Sequence, residues 1–309
     1  GHDEEVGGTF GAAEMAKRLK AENGGKGELA FVLDEGGVVM VEGIAPFTRK
    51  PVAVIGTAEK GMANIEMEIT TKGGHSSMPP LDGSAVGSIL GRILSRLEKS
   101  PINPGMRPPT SDLLEALAPE APLPLRPLLR RVSNPMIGML VAQVLGAASP
   151  EAASLTRTTV AATEIHSGVA KNVLPQKAVV NFNARVMPGE SRQDVLHYVN
   201  VTGVAKDARY ARLSLTGQGQ EASGVSDCRG AVFARISQAV LETLQDPKVG
   251  MATAPYLVMG ATDSRHYSDL TSEVFRFSPI MLNKTAGDVG RIHGNDERVA
   301  IDDYLKAIR

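Results

Sequence analysis

The chain has 309 residues, 42% of them apolar and 22% charged, with 33 basic against 34 acidic side chains and a net charge of −1. That length exceeds a single small core and fits about two domains, and a balanced charge offers no basic excess to grip a phosphate backbone, which excludes nucleic acid as a partner. Cys228 is the only cysteine, so an internal disulfide and a cysteine-rich metal site are both excluded and any metal must be held by His, Asp and Glu.

The chain opens with Gly-His-Asp-Glu-Glu-Val-Gly-Gly, in which Glu4 and Glu5 are adjacent. Neighbouring side chains on a turning backbone point apart, so one carboxylate can hold a metal while the next faces a water beside it, the pairing a hydrolytic metal site needs. The plainer alternative is a solvated acidic turn. Residues 9–22 have apolar positions near helical spacing and good helix formers, which predicts a helix ended by Asn23-Gly24-Gly25. Residues 29–33 form an apolar run of the kind buried in a parallel sheet, and they lead into Asp34-Glu35-Gly36-Gly37. Residues 38–42 and 52–57 are further strands, so the first 60 residues read as an α/β layer.

From about Lys60 the pattern changes. Residues 64–70 alternate apolar and polar, as in a half-exposed strand. A loop, Gly73-Gly74-His75-Ser76-Ser77-Met78-Pro79-Pro80, precedes an amphipathic helix over 84–97. The stretch 101–127 is rich in proline, with a short helix over 111–117, and residues 128–144 read as helical. Strands over 156–165, 178–186 and 211–216 and a helix over 192–200 complete a β-α-β-β-α-β series, which predicts an antiparallel α+β domain. After a linker at 217–224 come a helix over 230–245, strands at 256–259 and 275–277, and a last helix over 302–308. The α/β layer therefore resumes after an inserted domain. The expected division is a catalytic α/β domain over 1–60 and 221–309, and a lid domain over 61–220 with a helical, proline-rich insertion at about 101–150. No apolar run is long enough to span a bilayer.

Singly the motifs are weak: Asp34 could cap a turn, His75 could be a surface histidine, and Asp263 and Arg265 could be an exposed ion pair. In order they are specific. His-Asp-Glu-Glu-Val-Gly-Gly at 2–8, Phe-Val-Leu-Asp-Glu-Gly at 31–36 and Gly-Gly-His-Ser-Ser-Met-Pro at 73–79 are followed by Lys-Asn-Val-Leu-Pro at 171–175 and Phe-Asn-Ala-Arg at 182–185. Thr-Asp-Ser-Arg-His-Tyr at 262–267 and Arg-Ile-His-Gly-Asn-Asp-Glu-Arg-Val at 291–299 complete the series. This series resembles the two-zinc peptidases and deacylases that include aminoacylase, carboxypeptidase G, succinyl-diaminopimelate desuccinylase and vacuolar carboxypeptidase S. The insertion at 101–150 looks most like the carboxypeptidase S branch.

The resemblance implies a zinc-peptidase-like α/β sandwich with an inserted ferredoxin-like dimerisation domain, an amide-hydrolysing activity and a homodimer formed through the lid. It implies that Glu4 is the general base and that Glu5, Asp34 and His293 are metal ligands; carboxylates with one imidazole suit zinc and also admit cobalt or manganese. It implies that His75 steadies an oxyanion in the partner's site, and that Asn172 and Arg185 hold the substrate carbonyl and carboxylate, with Asp263 and Arg265 part of the substrate pocket. His166 and His197 match nothing and read as structural. The expected substrate is a small peptide or N-acyl amino acid with a free carboxylate.

Relatives of this kind also carry a His-x-Asp motif ahead of the acidic pair and a bridging Asp between the two, and this chain has neither. The resemblance therefore implies a chain truncated at its amino terminus, an incomplete sheet, weak metal binding and little activity from this chain alone. A second expectation, from another class, is a catalytically dead dimerisation module. A nucleotide- or sugar-binding α/β protein is disfavoured, because no G-x-G-x-x-G follows a strand.

Overall fold

A computed structural model describes residues 2–22 and 29–308 of the chain. The predicted stop at Asn23-Gly24-Gly25 lies outside the described residues. The strands are β1 (Val32–Asp34), β2 (Val38–Met40), β3 (Val52–Glu59), β4 (Gly61–Thr70), β5 (Gly74–His75), β6 (Thr159–Ser167), β7 (Val173–Leu174), β8 (Lys177–Val186), β9 (Ala211–Leu215), β10 (Ala252–Val258), β11 (Val274–Arg276) and β12 (Met281–Leu282). The α-helices are α1 (Ala12–Glu22), α2 (Val86–Lys99), α3 (Thr110–Leu117), α4 (Arg126–Leu129), α5 (Pro135–Ala148), α6 (Pro150–Thr156), α7 (Arg192–Tyr198), α8 (Ala231–Leu244) and α9 (Ile301–Ala307). They divide between two compact units, one of residues 1–59, 105–156 and 223–309, the other of 60–104 and 157–222.

The first unit is built on β3. Every residue of Val-Ala-Val-Ile-Gly-Thr-Ala-Glu is buried, as a strand covered on both faces requires. β10 runs parallel along one side of it, and antiparallel β2 and β11 share the other, at Val52–Val54 and at Gly56. β1 extends the sheet beyond β11, and β12 extends it beyond β2. β10 starts four residues earlier than the sequence suggested and contains Pro255, which is tolerated because, among the described residues, β10 pairs with β3 alone. β1 pairs only with β11 among the described residues, and its Leu33 and the preceding Phe31 are about half exposed.

The helical segment 105–156 belongs to this unit and not to the lid where the sequence placed it. The reason is its apolar face: Leu113, Leu114 and Leu117 of α3 bury against Val52, Val54 and Ala254 of the sheet. Burial of each such side chain is worth about 1.5–3 kcal/mol, enough to draw the segment away from the elements that flank it in sequence. The helix expected over 128–144 is broken in two. α4 stops at Leu129, and Pro135 begins α5, where Asn134 Oδ1 accepts the Met136 and Ile137 N–H groups at 3.1 and 3.4 Å, an Asn-Pro start that caps the new helix.

The second unit is a four-stranded antiparallel sheet in the order β6-β8-β4-β9. With α2 after β4 and α7 after β8, the connectivity is that of the ferredoxin-like βαββαβ fold. Strict alternation in β4 and β8 turns Ile65, Met67, Ile69, Val180 and Phe182 to one face, where they pack with Ile89 and Ile93 of α2 and Val195 of α7. Ser191 opens α7 with a capping box: its hydroxyl accepts the Asp194 N–H, and the Asp194 carboxylate accepts the Ser191 N–H.

Candidate active site

The acidic pair sits on a tight turn over Glu4–Val6. Asp3 holds it: one carboxylate oxygen accepts the Phe10 N–H at 2.7 Å and the other accepts the Gly11 N–H at 2.9 Å, at the threshold of α1. The Phe10 bond holds the Asp3 carboxyl below its usual range. Gly8 closes the turn at φ +64°, and a Cβ there would lie 2.2 Å from Asp263 Oδ1. Glycine is thus required both by the backbone and by the approach of Asp263.

The opposite wall is the 262–267 turn. Its Thr262 hydroxyl accepts the Ser264 N–H and donates to Glu59 Oε1 at 2.5 Å. His266 Nε2 lies 3.0 Å from the Gly7 carbonyl and 3.2 Å from Arg265 Nε. With the proton on Nε2 the ring donates to Gly7; without it, the ring accepts from Arg265. Beneath the turn, Glu59 and Arg276 form a buried ion pair.

These elements bring Glu4, Glu5, Asp34, Asp263, Arg265 and His293 to one region of the first unit. Glu4, Glu5 and His293 line a cleft of about 600 Å³, together with Glu35, Arg291 and Glu297. Burial, followed by the charges of Glu35, Glu5 and Asp263, raises the Glu4 carboxyl above its usual range, and Arg265 opposes this. Burial and then Asp34, Glu5 and Asp263 raise Glu35 as well, with His293 opposing. His293 Nε2 lies 3.7 Å from Glu5 Oε1, with both side chains largely exposed. The histidine takes the left-handed backbone (φ 58°), uncommon for a residue with a side chain, and its N–H donates to Glu297 Oε1 at 3.3 Å.

Asp34 ends β1; one of its oxygens accepts the Glu35 N–H at 2.9 Å, and the other is buried and accepts no hydrogen bond. A buried carboxylate oxygen without a donor suits a cation, and Glu5 beside His293 offers a carboxylate and an imidazole. Yet among the described residues no three His, Cys, Asp or Glu side chains converge to hold a metal ion. The donors present fit part of a metal centre and do not complete one.

The remaining predicted residues lie in the second unit. His75 is exposed in β5, with its Nδ1 2.7 Å from Ser77 Oγ. Asn172 precedes β7, which pairs with β5, and its carbonyl accepts the Ser76 N–H at 3.1 Å. Arg185 is half-buried in β8 opposite Met62 and Thr159. The structure thus brings His75 and Asn172 to one hairpin-like pair and sets Arg185 apart from them in the sheet. Sequence reasoning missed Glu35 and the Glu59–Arg276 pair. Glu35 repeats in Asp34-Glu35 the adjacent-acid pattern of Glu4-Glu5 and was legible there; nothing in the sequence links positions 59 and 276.

A mixed α/β unit that carries an acidic cleft is thus interrupted in the chain by a ferredoxin-like unit. Residues 57–202 match the peptidase dimerisation domain. The chain is 35% identical over 308 residues to a probable carboxypeptidase S-like protein of Dictyostelium discoideum, covering all of this chain and 56% of that protein. It is 35% identical over 302 residues to an N-fatty-acyl-amino acid synthase/hydrolase of Xenopus tropicalis, covering 97% of this chain and 55% of that protein. The fold is similar to that of an M20 family metallo-carboxypeptidase from Sulfolobus solfataricus, with a TM-score of 0.58 at 15% identity over 99% of this chain and 66% of that one. Human carnosine dipeptidase 1 is similar at a TM-score of 0.57 and 13% identity, over 99% and 62% of the two chains. Residues 57–202 thus carry the M20 peptidase dimerisation domain, and the chain spans a little over half the length of these curated relatives.

Proposed function

We propose that the chain supplies part of a metal-dependent amidohydrolase that acts on a small peptide or N-acyl amino acid with a free carboxylate. The observation that carries this reading is the Glu4–Glu5 turn: Glu5 faces His293 at 3.7 Å, while Glu4, its carboxyl raised by burial, opens onto the same cleft. Glu5, Asp34 and His293 would hold zinc, with cobalt or manganese as substitutes. When bound, the metal would make a water acidic and polarise the amide carbonyl.

Glu4 would take a proton from the attacking water and deliver it to the leaving amine, a role for which a raised carboxyl is better matched than an ordinary one. Asp263 and Arg265, on the turn that follows the cleft-lining Thr262, would orient the substrate. Arg185 would bind its carboxylate through the planar guanidinium fork and Asn172 its carbonyl. His75 would stabilise the oxyanion from the partner subunit of a homodimer formed through the ferredoxin-like unit. The names of the relatives are consistent with both a carboxypeptidase and an N-acyl-amino-acid hydrolase.

A test is metal content together with hydrolysis of a dipeptide and an N-acyl amino acid. Because the donor set is incomplete, the 309-residue chain should retain less than one tightly bound zinc and show little turnover. Any turnover it does show should vanish in Glu4→Gln; a fully active Glu4→Gln would remove Glu4 as the base. The lack of three convergent donors also motivates a second reading, a dimerisation module without catalysis. Stable dimers that bind no metal and hydrolyse neither substrate would favour it.

A further inference from the structure

Helix α5 is apolar except for the exposed Gln143, yet only half of it is buried. Its sequence, Pro-Met-Ile-Gly-Met-Leu-Val-Ala-Gln-Val-Leu-Gly-Ala-Ala, contains no charged residue. Gly138, Val141 and Ala142 face the body of the first unit, with Ile137 and Leu145 partly buried beside them. On the other side Met136, Met139, Leu140 and Val144 are 81%, 64%, 61% and 63% exposed. The spacing i, i+3, i+4, i+8 places these four side chains on one stripe of the helix. A helix this apolar is normally enclosed, so this stripe is unusual on a water-facing surface.

The charge around it is one-sided. Between Glu120 and Glu151 there is no acidic residue, and Arg126, Arg130 and Arg131 lie just ahead of the helix. Arg130 and Arg131 are exposed. Glu115 is bonded to Ser133 and to Arg229, and Glu151 lies beyond the far end of α5, in the first turn of α6. The helix has 14 residues, too few to cross a bilayer, and no helix among the described residues is long and apolar enough to do so. An uncharged apolar stripe beside cationic side chains is the pattern of a helix that lies in the headgroup region of an anionic lipid surface, with its apolar side chains inserted and its arginines on the phosphates.

We propose that α5 docks the protein onto an anionic lipid surface. The proposal is independent of the hydrolase reading and concerns residues that do not line the cleft. It is tested by co-sedimentation of the 309-residue chain with vesicles of phosphatidylcholine alone and of phosphatidylcholine with phosphatidylserine. The chain should partition onto the vesicles that contain phosphatidylserine, less so at high salt. Met139→Glu with Leu140→Glu should lower that partition by at least about tenfold. Arg130→Glu with Arg131→Glu should lower it only where phosphatidylserine is present. These side chains point outward, so thermal melting should be unchanged; the milder pair Met139→Ser with Leu140→Ser serves if the glutamates impair folding. Absence of the unsubstituted chain from both vesicle pellets, or equal binding by the Met139/Leu140 variants, would overturn the proposal. So would a solution dimer that the Met139/Leu140 variants dissociate, since a second copy would then be what covers the stripe.

Discussion

Arg276 Nε lies 3.1 Å from Glu59 Oε1, and both side chains are essentially inaccessible to solvent. Ser264 Oγ accepts from Arg276 Nη2 at 2.9 Å, Arg276 Nη1 donates to the Val274 carbonyl at 3.0 Å, and Thr262 donates to Glu59. The pair therefore fastens the 262–267 turn, which carries Asp263 and Arg265, to the end of the central strand. Gly56 makes room for it: a Cβ there would lie 2.9 Å from Arg276 Cβ and 2.6 Å from Val258 Cγ2.

Removing one partner leaves the other charged and buried. Arg276→Met or Glu59→Gln should each cost about 3–5 kcal/mol, read from urea denaturation. The double variant should cost clearly less than the sum, because the two changes remove a single interaction. Additive losses would mean that the two charges are not coupled.

Lys60 opens the second unit, 1% exposed, with Nζ donating to the Arg157 carbonyl at 2.8 Å. Burial pushes its amine from 10.5 down to about 8; Glu190 opposes this and Arg185 adds to it. A lysine whose folded value is depressed penalises folding when charged. The penalty is full below pH 8 and fades as pH rises from about 8 towards 10.5. The unfolding midpoint of this unit should therefore gain from alkalinity across that window, up to about 3 kcal/mol, and Lys60→Met should flatten the gain.

Glu4 and Glu35 have the opposite linkage. Their carboxyls are raised above 4.5 in the folded protein, so protonation favours folding; that stability is present below about pH 4.5 and is lost as pH climbs through the raised values. In chelator-treated protein, Glu35→Gln should raise the urea midpoint at pH 7 and leave it unchanged at pH 4. Equal midpoints at both values would contradict the crowding of carboxylates in the cleft.

Ser191 closes the capping box of α7 on the exposed side of that helix. Ser191→Ala should cost about 1 kcal/mol in thermal or chemical unfolding, and Ser191→Asp should restore most of the loss.

Most elements were legible because their periodicity was strong. The alternation of 64–70 and 178–186 locates β4 and β8, and the apolar run at 52–57 locates β3, because burial on one face or both leaves a direct trace in residue type. Asn134-Pro135 was overlooked as a helix break, although its capping chemistry is local. The membership of 105–156 in the first unit could not be read, since it depends on which sheet accepts Leu113, Leu114 and Leu117. Short motifs carry Glu4, Glu5 and His293, which line one cleft, whereas the Glu59–Arg276 pair, 217 positions apart, leaves no local trace in the sequence.

The chain passes between the two units at 59/60, 104/105, 156/157 and 222/223, and the flanking residues meet in pairs. Ser223 N–H donates to the Glu59 carbonyl at 3.1 Å, and Gly105 N–H donates to the Thr156 carbonyl at 2.7 Å. One excursion is thus nested in the other, and a continuous stretch of sequence is not an autonomous piece of the molecule. A fragment cut at 57 and 202, the span of the dimerisation-domain match, would carry α3 without Val52, Val54 and Ala254 beneath it and would expose its leucines to aggregation. Joining Pro104 to Arg157 and extending to Ala222 would instead keep β9 and leave the helices behind, because the ends to be joined already lie side by side.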